Sequence, residues 1–252
     1  MNAWNARKHH FLRRYMQLFA VGMSKRWPAG LTYVDLFAGP GLCVRDDGTI
    51  EDGSPLIALA KPFTRLAFVE LERLDVAALR DRIAEHSNGS RAVVIEGDCN
   101  DVVSRVRVAM PRGGLTFAFV DPTSWQVRFE TIAALTAARR VDLLLTFHVG
   151  GMRRVADRDQ PRLDQFFGTT SWRPFVGKQK LEASRLLDVY RSQLASIGYA
   201  IDASSPAIRV DNSRRAPMYY LVFASKHAKG DEFWRKVVAQ EETGQLRLGR
   251  EH

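Results

Sequence analysis

Apolar positions recur at helical spacing near the start of the chain. Phe11, Leu12, Tyr15, Leu18 and Phe19 share one face while Arg13 and Arg14 turn to another, which predicts an amphipathic helix over residues 4–25. From Thr32 the pattern changes to short apolar, β-branched runs that end in Gly or acidic residues. Strands are predicted at 32–37, 66–70, 92–96, 115–120 and 141–147, with helices near 54–61, 74–86, 100–109 and 129–139. Ser54 followed by Pro55 reads as an N-cap and first-turn pair. Alternation of this kind builds βαβ units, and right-handed crossovers place the five strands in one parallel sheet. The stretch after His148 lacks a clear period and reads as an inserted cap. A helix at 180–197, two strands at 206–210 and 218–225 forming an antiparallel hairpin, and a closing helix at 231–240 complete the pattern.

The expected architecture is a single α/β domain over 1–252 with a seven-stranded, mostly parallel, Rossmann-like sheet. Residues 1–30 form a basic N-terminal helix, 31–147 the core, 148–180 the cap, and 181–252 the C-terminal helix, hairpin and closing helix. A hydrophobic content of 46% suffices for a packed core and excludes disordered and fibrous classes. Cys43 and Cys99 are too few for a disulfide scaffold or a thiolate-rich zinc site, which fits a reducing cytoplasm. His9 and His10 are adjacent and lack the His-x-x-x-His spacing, so no metal site is expected. The apolar stretch 11–23 is broken by Arg13, Arg14 and Gln17, so neither a signal segment nor a membrane span is expected.

Charge changes the picture. The formal net charge of +9, with an isoelectric point near 9.9, favours polyanionic partners. Residues 1–30 carry Arg7, Lys8, Arg13, Arg14, Lys25 and Arg26 and no acid, and 151–180 carry seven basic residues against three acids. If both segments flank the carboxyl edge of the sheet they form a basic mouth for phosphates; if they lie apart, the charge is a solvated or docking surface.

The chemistry-bearing residues fall at the strand ends. In "YVDLFAGPG", residues 33–41, an apolar strand ends in Asp35 and enters a loop with Phe37, Gly39 and Gly41, where a ligand can approach the backbone. The third glycine of a dinucleotide fingerprint is missing, which disfavours a nicotinamide or flavin cofactor. The next strand ends in "FVELE", where Glu70, or its neighbour Glu72, can accept both hydroxyls of a ribose. The third ends in "VIEGDCN", placing Asp98 and Asn100 where an exocyclic amine can be received. The fourth ends in "FVDPTSW": Asp121 and the Pro122 carbonyl can hold an amino or hydroxyl nucleophile, and Trp125 can stack on a base or serve the core. His148 is either a base facing the crevice or a loop residue.

In this order, "DLFAGPG", "FVELE", "EGDCN" and "FVDPTSW" resemble the Rossmann-like class I S-adenosylmethionine-dependent methyltransferases over about residues 31–150. The resemblance implies a core that binds S-adenosylmethionine, with Asp35, Gly39 and Gly41 against the methionine, Glu70 on the ribose and Asp98 near the adenine. It also puts Asp121 and Pro122 at the position that holds base amino groups, although Thr123 and Ser124 replace the usual Pro-aromatic pair and the aromatic moves to Trp125. Across almost the whole chain, "WNARKHHFLRRY", "FAGPG", "DGSPLIAL", "LDQFFGTTSW" and "MYYLVFASKH" are similar to the three-Cys-motif partner family. That family is encoded beside radical-S-adenosylmethionine proteins, so a partnership with one is implied.

The expected function is methyl transfer to RNA or DNA. Asp121, Pro122 and Trp125 would handle the acceptor, and Arg13, Arg14, Arg153, Arg154, Arg158 and Trp172 would hold the polymer. The alternative is a methyltransferase-like binding partner of a radical enzyme, without turnover. A cytosine-C5 mechanism fails because neither cysteine follows a proline.

Overall fold

The computed structural model describes residues 3–45, 47–177, 180–211 and 215–248. Helix α1 (Ala3–Met23) leads into β1 (Leu31–Asp35). A small hairpin of β2 (Leu42–Val44) and β3 (Ile50–Asp52), which the sequence pattern did not reveal, precedes α2 (Ser54–Leu59). The core continues with β4 (Arg65–Glu70), α3 (Arg73–Glu85), β5 (Ala92–Glu96), α4 (Cys99–Val108), β6 (Leu115–Val120), α5 (Phe129–Thr136) and β7 (Arg140–His148). Then come α6 (Met152–Arg158), α7 (Gln160–Phe167), the short pair β8 (Val176–Gly177) and β9 (Lys180–Leu181), α8 (Ala183–Ser196), β10 (Ala207–Asp211), β11 (Pro217–Ala224) and α9 (Ala228–Leu248).

The seven-stranded sheet has the order β10-β11-β7-β6-β1-β4-β5. β1, β4, β5, β6 and β7 are parallel, and β11 pairs antiparallel with both β7 and β10, so β11 alone runs against the rest. The expected antiparallel hairpin is present and extends the sheet beyond β7, its second strand next to β7 and its first at the edge. β1 and β6 are buried at every position, as continuous apolar runs in the middle of a parallel sheet must be. β5 lies at the edge and exposes Val93.

Alternate residues of each strand feed two cores. Val34, Val69, Ala118, Val120, Leu145 and Phe147 face α4, α5, α7 and α8. Tyr33, Phe68, Phe117, Phe119 and Phe223 face α1, α2, α3 and α9. The second core is aromatic: the Tyr15 ring lies 4.8 Å from Phe117 and 4.6 Å from Phe223, within the range of favourable ring pairs. Beneath it, Tyr15 donates to Asp142 at 2.7 Å and Ser225 donates to the same carboxylate at 2.6 Å, tying α1, β7 and the end of β11 together. Burial pushes the Asp142 carboxyl up to about 6, against these two hydrogen bonds.

Three expectations are corrected here. Ser54 does not cap α2: Gly53 is the N-cap, and the Ser54 hydroxyl bonds Asp35 instead. α5 stops at Thr136 rather than near 139, because Ala137 is extended and Ala138 takes φ 53. The segment expected as an inserted cap without a clear period carries α6, α7 and the β8–β9 pair, and α6 and α7 pack into the first core. α7 is capped by Asp159, closes on Gly168 with φ 67, and buries Leu163, Phe166 and Phe167 at i, i+3 and i+4. Trp172 is 1% exposed, stacks on Phe167 and donates from Nε1 to Asp164, so it has no face for a base. Among the described residues no helix is long and apolar enough to cross a membrane.

Because the Asp142 carboxyl sits near 6 folded and near 3.8 unfolded, its contribution to stability is present below about pH 4 and is lost as pH rises through 6. The stability of the native protein relative to Asp142→Asn therefore falls by up to about 3 kcal/mol between about pH 4 and pH 7, read by urea unfolding at the two pH values. A constant difference contradicts this role.

Candidate functional site

A cavity of about 390 Å³ opens at the carboxyl ends of β1, β4, β5 and β6, and its walls include Phe37, Gly39, Glu70, Glu72, Asp98 and Asp121. The size suits a small-molecule ligand. Every one of these residues belongs to a strand-end motif, and the βα connectivity is what gathers them. Leu71, Asp75, Cys99, Thr123 and Gln126 also line it and were not singled out from the sequence. They follow the motif residues by one to five positions, which is the only signal they carry.

The loop after β1 is held from below. Asp35 is fully buried; it accepts from the Tyr33 hydroxyl at 3.0 Å, from the Phe37 N–H at 3.1 Å and from Ser54. Burial pushes its carboxyl up to about 6. Asp35 thus shapes the loop and does not line the cavity, a correction to its expected contact with a ligand. Gly39 and Gly41 take φ of 62° and 88°, where a side chain would be strained, and the Arg82 guanidinium donates to the Pro40 carbonyl. Gly41 also lies outside the lining; its carbonyl receives the Gly53 N–H at 2.8 Å and so closes the β2–β3 excursion.

Glu70 is the centre of the next wall. Its Oε2 accepts from the Gly39 N–H at 2.7 Å, and Oε1 accepts from the N–H groups of Leu71 and Glu72 at 2.7 and 2.8 Å. Asp98 caps α4, receiving the Asn100 N–H and Nδ2 on a single oxygen at 2.8 Å each. Asn100 is consumed by structure: it reaches the Gln126 carbonyl, the Arg128 N–H and Thr131. The amide expected to receive an exocyclic amine therefore braces the loop after β6.

That loop carries a second cluster. Asp121 accepts from Thr146 Oγ1 at 2.6 Å and pairs with Lys8 Nζ at 2.5 Å. His148 Nε2 lies 2.7 Å from the Pro122 carbonyl; because a carbonyl only accepts, Nε2 carries the proton. Burial lowers the His148 pKa, opposed by Asp121, so the ring is neutral at pH 7. His9 is held neutral in the same way, its pKa lowered to about 4 by burial and then by Lys8. Trp125 is buried and donates from Nε1 to the His148 carbonyl at 2.9 Å, which corrects its expected base-stacking role to one of support. From the sequence Lys8 is one of the six basic residues of 1–30, part of a basic mouth or of a solvated surface; nothing in its local pattern shows that it pairs with a strand-end carboxylate more than a hundred residues away.

The basic segments divide. Arg153, Arg154 and Arg158 are exposed on α6, directly beyond the carboxyl end of β7, and Arg162 reaches Ser124 at 3.2 Å. Arg13 and Arg14 are exposed more than a turn further along α1. Lys25 and Arg26 follow the far end of α1, and Arg26 lines a small cavity with Trp27 and Leu115 near the opposite edge, so they are not part of the mouth.

Cys99 lines the cavity, but burial and the Asp98 carboxylate push its thiol up to about 12. In the folded protein it is therefore expected to resist iodoacetamide at about pH 8 and to react once unfolded, read by mass spectrometry. Rapid native labelling contradicts this environment.

No protein-family model matches the chain. No curated protein matches it either. Among solved structures, it is similar to an O-methyltransferase from Bacillus cereus in complex with SAH, with 12% identity, a TM-score of 0.52, and 85% of this chain and 80% of that one covered. It also aligns with a Legionella pneumophila protein (13% identity, TM-score 0.49, 92% and 90% covered) and with a cofactor-bound protein from MTB (12%, 0.49, 90% and 82%). The likeness to the first is one of fold: the chain has the Rossmann-like class I methyltransferase fold, a mostly parallel seven-stranded sheet with helices on both faces.

Proposed function

We propose that this protein is an S-adenosylmethionine-dependent methyltransferase acting on nucleic acid. The observation that carries the reading is the convergence of Gly39, Glu70, Asp98 and Asp121 on one cavity at the carboxyl ends of four adjacent strands. The donor set fits the cofactor. Glu70 would take the ribose hydroxyls in exchange for the Gly39 N–H, the Asp98 carboxylate would face the adenine amine, and the glycine loop would admit the methionine part. When bound, the cofactor supplies an electrophilic methyl group on sulfur. Asp121 and the Pro122 carbonyl, fixed by Thr146 and His148, would orient the acceptor, so positioning does most of the catalysis. The exposed arginines of α6 stand beside this edge and supply phosphate contacts.

The resemblance to three-Cys-motif partner proteins supports a radical-S-adenosylmethionine protein as partner. Thr123 and Ser124, which follow Asp121 and Pro122 in place of the Pro-aromatic pair, favour one second reading, a binding partner without turnover.

Calorimetric titration with S-adenosylmethionine is expected to give micromolar binding that Glu70→Ala abolishes. Asp121→Ala should keep that affinity within about twofold and lose methyl transfer by roughly 100-fold or more. Absence of binding by folded protein overturns the reading; binding without transfer to any nucleic acid brings the second reading forward.

A further inference from the structure

Lys8 is an unusual residue to find at a strand end. Its side chain is 9% exposed and that of its partner Asp121 17%, and the Nζ lies 2.5 Å from Asp121 Oδ2. Burying an ammonium costs several kcal/mol unless it is closely paired, and an ordinary solubility charge would remain in water. The pair is not remote from the cavity, since Asp121 lines it. Thr146 holds the other carboxylate oxygen, and Lys8 also stands 5.8 Å from the Tyr219 ring, which is 5.6 Å from His148. His9 and His148 are neutral, so the charged pair in contact at this point is Lys8 and Asp121, with Asp35, Glu51, Arg7 and Arg13 acting on the cluster from further away.

We infer that Lys8 and Asp121 together form the acceptor centre of the proposed methyltransferase, and that this centre takes a hydroxyl oxygen rather than an amine nitrogen; the inference rests on that proposed activity. An amine nitrogen becomes positive as it gains a methyl group, and a fixed ammonium beside it opposes that charge. A hydroxyl must shed its proton and becomes negative at oxygen, which the same ammonium favours. The proton passes to the Asp121 carboxylate, the oxygen lone pair forms the bond to the methyl carbon, and the carbon–sulfur pair stays on sulfur. Lys8 is a positioning residue: it fixes Oδ2 and supplies the field. In a nucleic acid the internal hydroxyl is the ribose 2′-OH, so RNA is the substrate class and DNA is not.

The test uses the full chain, labelled S-adenosylmethionine, and random-sequence RNA and DNA pools of one design, with nucleoside analysis of the products. Label in 2′-O-methyl nucleosides from RNA, and none in DNA, is expected. Lys8→Met should keep cofactor affinity, which shows that it is folded, while losing roughly 100-fold in transfer, with Lys8→Arg restoring part. Without cofactor, acetylation of Lys8 should be roughly tenfold slower than in Asp121→Asn. Label in a base nitrogen, equal label in DNA, or full activity in Lys8→Met overturns this inference and leaves the methyltransferase reading standing. Cofactor binding with no transfer to either pool overturns both.

Discussion

The burial of one face of α1 against the sheet is the constraint on which the rest depends. Phe11, Tyr15 and Phe19 fill the aromatic core between the sheet and α9, and the Tyr15 hydroxyl is locked to Asp142. A helix is rigid and advances about 1.5 Å per residue, so fixing Tyr15 fixes where Lys8 falls, two turns earlier. It falls on Asp121. Without that packing Asp121 would still line the cavity but would lose its cation partner.

The same logic explains why the site has two characters. On the side of β4 and β5, carboxylates are satisfied by backbone N–H groups: Glu70 by three and Asp98 by the first turn of α4. Such bonds can be exchanged for ligand hydroxyls at small net cost. On the side of β6 and β7, the contacts are made by side chains: Lys8 and Thr146 hold the Asp121 carboxylate, and His148 holds the Pro122 carbonyl. That half is held in place before any ligand arrives, which is what the proposed role in positioning an acceptor requires.

Most of the fold was legible in the sequence because its signals are local. Central strands are continuous apolar runs, and each ends in a glycine or an acid; the helices between them carry period 3.6. The strand-end acids Glu70, Asp98 and Asp121 could be brought together from topology alone, since a parallel sheet sends all its carboxyl ends to one edge. What escaped depends on distant partners. Whether Trp125 and Trp172 faced solvent or core was decided by Phe167, Asp164 and the His148 carbonyl. Asp35 reads like its neighbours at the other strand ends, but Tyr33 and Ser54 draw it beneath the loop. α7 was hidden because its charged residues masked an apolar triad that Asp159 and Gly168 delimit.

The proposed reading is that one cavity, lined from Asp121 after β6 through Glu70 at the end of β4 to Asp98 after β5, is built for a nucleoside-bearing methyl donor. A crystal structure of the full chain with S-adenosylhomocysteine tests it most directly. The account predicts the ribose on Glu70, with the Gly39 N–H released, and the sulfur directed toward Asp121. A ligand bound elsewhere, or one whose sulfur faces away from Asp121, contradicts it.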